Sequence, residues 1–205
     1  MKNLKFATAG IAVCAGMLLT ACSSAGSVDY IQSTITSDGK FTCELFGIGA
    51  DFDTEIWTFY TDDQIADANG AASTSNADMT AAIKKTGGVQ NMGATQESGS
   101  SMMMLVEDTN VTKLGNLSEE AYLDASKKLL EDQFAELIDN MSSNTTTVTV
   151  AGISHPALDL SGEIYEIPYY GRYIFFKNGN LMAILNINSF DKDEIDEVIA
   201  QFYSL

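Results

Sequence analysis

The chain has 205 residues, with 28 Asp and Glu against 11 Lys and Arg, one His, two Pro and three Cys. That length suits a single domain of ordinary size, and 45% hydrophobic with 19% charged residues excludes a largely disordered chain despite a formal charge of -17. So few cysteines and histidines exclude a disulfide scaffold and most histidine-rich metal sites, and the acid excess argues against nucleic acid as a partner, because phosphate contacts need clustered cations.

Lys2 and Lys5 precede an uncharged run over residues 6–19, and no acid appears before Asp29. The run is too short to span a membrane and suits the apolar segment of a secretory signal. It ends in Leu19-Thr20-Ala21-Cys22, followed by Ser23 and Ser24, which resembles the bacterial lipobox. That resemblance implies a signal peptide over residues 1–21, with Leu19, Thr20 and Ala21 recognised by its peptidase. It also implies acylation of Cys22 and a place on the extracytoplasmic face of the cell membrane. The bilayer is then a partner through the acyl chains, since so acidic a body is repelled by anionic headgroups. Residues 22–39, rich in Ser, Thr and Gly, read as a flexible tether to a domain over residues 40–205. Cys14 lies in the signal segment, which leaves Cys43 as an unpaired small residue of a strand.

Alternation of apolar and polar residues predicts strands over 40–45, 48–52 and 56–60. Thr61 with Gln64 forms a capping box and Gly70 suits a helix end, so residues 62–69 read as a short helix and 77–85 as a second. Residues 88–101, rich in Gly, Ser, Gln and Asn, read as an irregular loop before a methionine-rich strand at 101–107. Ser118 caps a predicted helix over 119–141, whose stripe runs through Tyr122, Leu129, Phe134, Leu137, Ile138 and Met141. Strands follow at 145–151 and 157–167, and a hairpin joins 169–177 to 181–189 across Asn178-Gly179. A last helix begins at Asp191 and buries Ile195, Val198, Ile199 and Phe202. The hairpin strands are apolar on both sides and need cover on both sides. The expected fold is α+β, a single-domain α/β/α layered sandwich around a mainly antiparallel sheet.

The element order, with Phe46-Gly47-Ile48, Trp57-Thr58-Phe59, the capped helix of residues 61–70 and the run 169–202, resembles the PsbP-like superfamily. Asp53-Thr54-Glu55-Ile56 stands where many members carry a proline turn. The superfamily shares no single activity, so the resemblance implies a fold and little chemistry.

His155 precedes Pro156 and reads as a turn or strand-edge residue, since no Gly-x-Ser-x-Gly elbow accompanies it. Asp51, Asp53 and Glu55, and the group Asp191, Asp193, Glu194, Asp196 and Glu197, match no calcium-binding loop, and the second group reads as helix capping. Met102, Met103 and Met104 read as core filling. Tyr165, Tyr169, Tyr170 and Arg172, with Tyr173 beside them, form a candidate surface for a protein partner. No metal site and no cofactor is expected. The functional expectation is a non-enzymatic binding or scaffold lipoprotein, with a solute- or metal-binding lipoprotein and an envelope hydrolase as alternatives.

Overall fold

The computed structural model describes residues 28–205, so the expected signal peptide and Cys22 lie outside the described residues. Short alternating runs open the fold. β1 (Thr34–Ile35), β2 (Lys40–Cys43) and β3 (Ile48–Asp51) pair in antiparallel fashion and bury Phe41, Cys43, Ile48 and Ala50. A 3-10 turn at Glu44–Phe46, closed by Gly47 in the left-handed region, joins β2 to β3. β4 (Trp57–Phe59) leads into α1 (Asp62–Asn69), whose Thr61–Gln64 capping box and left-handed Gly70 are both present. α2 (Asn76–Thr86) starts at Ser75 and stops at Gly87. Then come β5 (Gly88–Gln96), β6 (Ser101–Asp108) and α3 (Glu119–Phe134). The chain continues through the meander of β7 (Asp139–Val150), β8 (Ile153–Ile164), β9 (Ile167–Asn178) and β10 (Leu181–Ser189). It ends in α4 (Lys192–Ile199) and β11 (Phe202–Ser204).

Among the described residues these strands make two sheets, one of order β1-β2-β3-β11 and one of order β4-β5-β6-β10-β9-β8-β7. Every pairing is antiparallel. The larger sheet is apolar on both faces. Ile174, Phe176, Leu181, Leu185 and Ile187 enter a large core closed by the small sheet, α1, α2 and α4. Tyr173, Phe175, Met182 and Ile184 enter a second core closed by α3, which carries the chain across the sheet from β6 to β7. The expected α+β fold with helices on both sides of an antiparallel sheet is what the chain forms, and the small sheet shares one of the outer layers.

Several expectations change. Residues 88–101 are not one loop: β5 occupies most of them, pairing with β4 and β6 around a bulge between Gln90 and Met92. Its polar composition hid it, yet Val89, Met92 and Ala94 face the large core. The Asn69 side chain occupies the edge that β4 leaves open, donating to the Gln90 carbonyl at 2.8 Å and accepting from its N–H at 2.7 Å. The helix expected over 119–141 stops at Phe134, because β7 pairs with β8 from Asp139 and Ile138 packs over Gly162. β7 therefore starts earlier than the expected 145, and β8 covers Ile153–Ile164 rather than 157–167. Phe202 lies in a strand, opposite Ala50, instead of on the last helix.

The expected tether over 22–39 does not hold from residue 28 onward. Tyr30 is 5% exposed, and its hydroxyl accepts from Asn91 Nδ2 at 2.8 Å. Gln32 Nε2 donates to the Asn91 carbonyl at 2.6 Å, and Ser33 Oγ donates to Asn91 Oδ1. The Val28 N–H donates to Asn180 Oδ1 at 2.7 Å, beside the turn between β9 and β10.

Candidate functional site

Strand parity separates the tyrosines that stand together in the sequence. Tyr169 and Tyr173 are 8% and 3% exposed and pack in the core under α3, whereas Tyr170 packs against the opposite core. Arg172 is held by Asp159, through Nε at 2.6 Å and Nη2 at 2.9 Å, and by Asp196 of α4 at 2.5 Å from Nη1. Of the set, Tyr165 alone is widely exposed, at 76%, on the two-residue turn between β8 and β9. Tyr165, Tyr169, Tyr170 and Arg172 therefore do not form one surface. The tyrosines of β9 serve the core instead: the Tyr169 hydroxyl donates to Asn188 Oδ1 at 2.6 Å, and burial drives both tyrosine hydroxyls far above their ordinary range.

His155 sits where β8 and β9 part. Their ladder ends at Ala157 and Ile174, next to Pro156, which has no N–H to offer. Glu119, the first residue of α3, fills the opening. One carboxylate oxygen accepts from the Lys177 N–H at 2.8 Å and the other lies 3.1 Å from His155 Nδ1. The imidazole also packs on Phe176, with ring centroids 4.4 Å apart. Lys177 Nζ in turn donates to Asn116 Oδ1 and the Leu117 carbonyl. Each group here ties the start of α3 to the frayed end of the sheet. The arrangement satisfies backbone donors, and no hydroxyl among the described residues hydrogen-bonds to His155 or Glu119.

The acidic runs act as caps. Asp53 Oδ1 accepts from the Glu55 N–H, and Asp191 Oδ1 from the Asp193 N–H. Glu194 accepts from Ser100 and Ser189 and so ties α4 to the sheet. Among the described residues no three His, Cys, Asp or Glu side chains gather as metal ligands. Cys43 is buried, which pushes its thiol up to about 11. Met102 and Met104 lie in the large core. A group the sequence did not single out is Glu107 of β6, 4% exposed, which accepts a hydrogen bond from the Tyr122 hydroxyl of α3.

What remains free is an edge. The two sheets end in β1, β11, β4 and β7. The first three have two or three residues, but β7 has twelve. Natural edges are blunted by shortness, charge, proline or bulges. Beyond its bulge between Asp139 and Ser142, β7 pairs with β8 without interruption to Val150. No Asp, Glu, Lys, Arg or Pro occurs from Asn140 to Ile153. An edge of this kind offers a row of backbone donors and acceptors to another strand. The signal was present in the sequence as an uncharged Ser/Thr-rich run in a chain of charge -17.

Comparison with known proteins adds fold likenesses. No family model matches the chain, and no curated protein does. Among solved structures it is similar to cyanobacterial PsbP (CyanoP) from Synechocystis sp. PCC 6803, at 10% identity and a TM-score of 0.44, over 91% of this chain and 99% of that one. It is also similar to LpqN, involved in cell envelope biogenesis of Mycobacterium tuberculosis, at 11% identity and a TM-score of 0.37, over 55% of this chain and 70% of that one. A protein from Bacteroides thetaiotaomicron VPI-5482 aligns at 11% identity and a TM-score of 0.38, over 78% of this chain and 45% of that one. At these identities and scores the likenesses speak to no shared chemistry.

Proposed function

We infer that this chain is a lipid-anchored domain on the extracytoplasmic face of a bacterial membrane, acting by binding or scaffolding rather than by catalysis. The observation that carries the reading is Leu19-Thr20-Ala21-Cys22, six residues before Val28, which packs against the core. Six residues span at most about 20 Å, so an acylated Cys22 would hold the body close to the bilayer. Two or three acyl chains anchor firmly, at about 0.8 kcal/mol per buried CH₂. A domain confined in this way meets neighbouring surface molecules at raised effective concentration, and the long free edge of β7 is the feature suited to meet them. The test is metabolic labelling of the full chain with an alkynyl palmitate, followed by membrane fractionation. Label and membrane retention in the wild type, and loss of both in Cys22→Ala, are expected. Equal membrane retention of the two forms would overturn the anchor.

A further inference from the structure

We propose that the end of the molecule around the β9–β10 turn is a membrane-contact surface, seated on the headgroups of an anionic phospholipid bilayer with the β8–β9 turn held outward. The proposal rests on the anchor reading above and deepens it by naming the face that meets the lipid. Three observations converge on it.

The first is where the described chain starts. The meander puts the β7–β8 and β9–β10 turns at one end of the large sheet and the β8–β9 turn at the other. The Val28 N–H donates to Asn180 Oδ1 in the β9–β10 turn, so the six residues back to Cys22 attach at that end. Six residues span at most about 20 Å. The twelve residues of β9 alone put the β8–β9 turn about 40 Å farther on. An acylated Cys22 therefore brings the Val28 end to the bilayer first.

The second is how unevenly the charge is spread. The turns at the far end, over residues 51–56, 97–100, 136–139, 163–166 and 191–194, hold eleven Asp and Glu against Lys192 alone. At the Val28 end, Lys84 and Lys85 lie in the last turn of α2, just before β5, and Lys113 stands in the loop that Thr109 ties to Asn180. All three are exposed, and Lys177 adjoins the β9–β10 turn itself. Those four cations face Asp29, Glu44, Asp108, Glu119 and Glu120, so this end is close to neutral. Anionic headgroups attract nearby cations at about 1 kcal/mol each and repel acids within about a Debye length. The field therefore turns the acidic end outward, although the chain as a whole carries -17.

The third is the apolar surface at the Val28 end. Asn178 Nδ2 donates to the Leu45 carbonyl, which fixes the 3-10 turn at this end, and the Leu205 N–H donates to the carbonyl of Gly47. Leu205 is 54% exposed, and Ile153, the first residue of β8, is 60% exposed. Phe46 and Val111, in the neighbouring turns, are half-buried. Apolar side chains at a near-neutral end can enter the headgroup boundary. Leu137, Tyr165 and Ile167 at the far end are exposed too. Glu136, Asp139, Glu163 and Glu166 stand among them, and these acids bar an anionic surface.

The test is fluorescence quenching of the full acylated chain in vesicles of phosphatidylglycerol and phosphatidylcholine in equal parts, doped with a lipid spin-labelled near its headgroup. Ile153→Cys and Tyr165→Cys each take a polarity-sensitive fluorophore. Both sites are exposed, so the changes leave the core alone, and buried Cys43 does not compete for the label. Quenching several-fold stronger at Ile153 than at Tyr165 is expected. The Lys84→Glu, Lys85→Glu double variant should lower that ratio in these vesicles and leave it unchanged in pure phosphatidylcholine. Equal quenching at the two sites, stronger quenching at Tyr165, or a ratio indifferent to the double variant would overturn the seating and leave the anchor intact. Flotation reads the anchor separately: a wild-type chain that is unacylated and stays off the vesicles would remove the anchor, and the seating with it.

Discussion

Burial of Glu107 favours its protonated form relative to the unfolded chain. Burial raises its carboxyl from 4.5 to about 7, against a smaller lowering by the Tyr122 hydrogen bond. A group with a raised folded pKa stabilises fully below its unfolded value and loses that contribution as pH rises through its folded value. Stability should therefore fall between pH 4.5 and about 7, by roughly 3 kcal/mol for this one group. Denaturant unfolding of wild type and Glu107→Gln across that range checks it: the variant should lack most of the decline, and parallel curves would assign the proton elsewhere. Arg172 tests a different balance at the same scale. Its fork on Asp159 is two-pronged and sheltered, while its contact with Asp196 reaches a carboxylate whose side chain is 70% exposed. Arg172→Lys should cost about 1–3 kcal/mol through the lost bidentate geometry. Asp196→Asn should cost under about 1 kcal/mol, because exposed ion pairs contribute little. Unfolding midpoints of the two variants decide the order.

Among the elements, the N-terminal segment separates composition from structure most sharply. Residues 28–39 look like linker by content, yet Tyr30 and Ser33 meet Asn91 on the β5 bulge, and β1 pairs with β2. A tether would tolerate Tyr30→Ala at no cost; this packed segment should lose about 3 kcal/mol or more, as buried aromatics do. Gly39, at φ +85°, closes the turn before β2, and a Cβ there would lie 2.0 Å from the Phe52 carbonyl oxygen. Gly39→Ala should therefore lower the thermal midpoint by several degrees. Thr61→Ala removes a cap that was readable from spacing alone and should cost about 1 kcal/mol. The same logic explains what sequence reading missed. β5 is built from residues that prefer turns, and its strand form depends on β4, β6 and Asn69, all distant in sequence. The 119–141 stripe kept its helical period past Phe134, but Asp139 onward gained a full ladder with β8, which outweighed the last helical turn.

For the whole molecule, charge is the dominant global quantity. A body at -17 pushes against itself, and salt screens that push. The thermal midpoint should rise as ionic strength increases from about 0.01 M to about 0.5 M, and a flat response would show that the acids are already locally neutralised by caps and pairs. Both faces of the large sheet were readable in the sequence because apolar parity in β9 and β10 survives any local change of boundary. The turn between these strands was readable too, although Gly179 and Asn180, rather than Asn178 and Gly179, occupy its two loop positions. The candidate partner surface was not readable, because residues one apart on a strand face opposite cores. Tyr169 and Tyr170 are neighbours in sequence and strangers in space.

By itself, the sequence determined what depends on near neighbours. The Thr61 cap, the hairpin turn and the two-sided greasiness that demands layers on both faces all belong to this class. These are properties of short spacing, where a residue's role is set by those within a few positions of it. The tertiary structure decided everything that depends on who arrives from afar. It made a linker-like segment into packed chain, a polar loop into a central strand and a histidine into a brace for a parted ladder. It also left β7 as the one long edge among the described residues, because strand order, which no local pattern encodes, chose which strand would have a single neighbour.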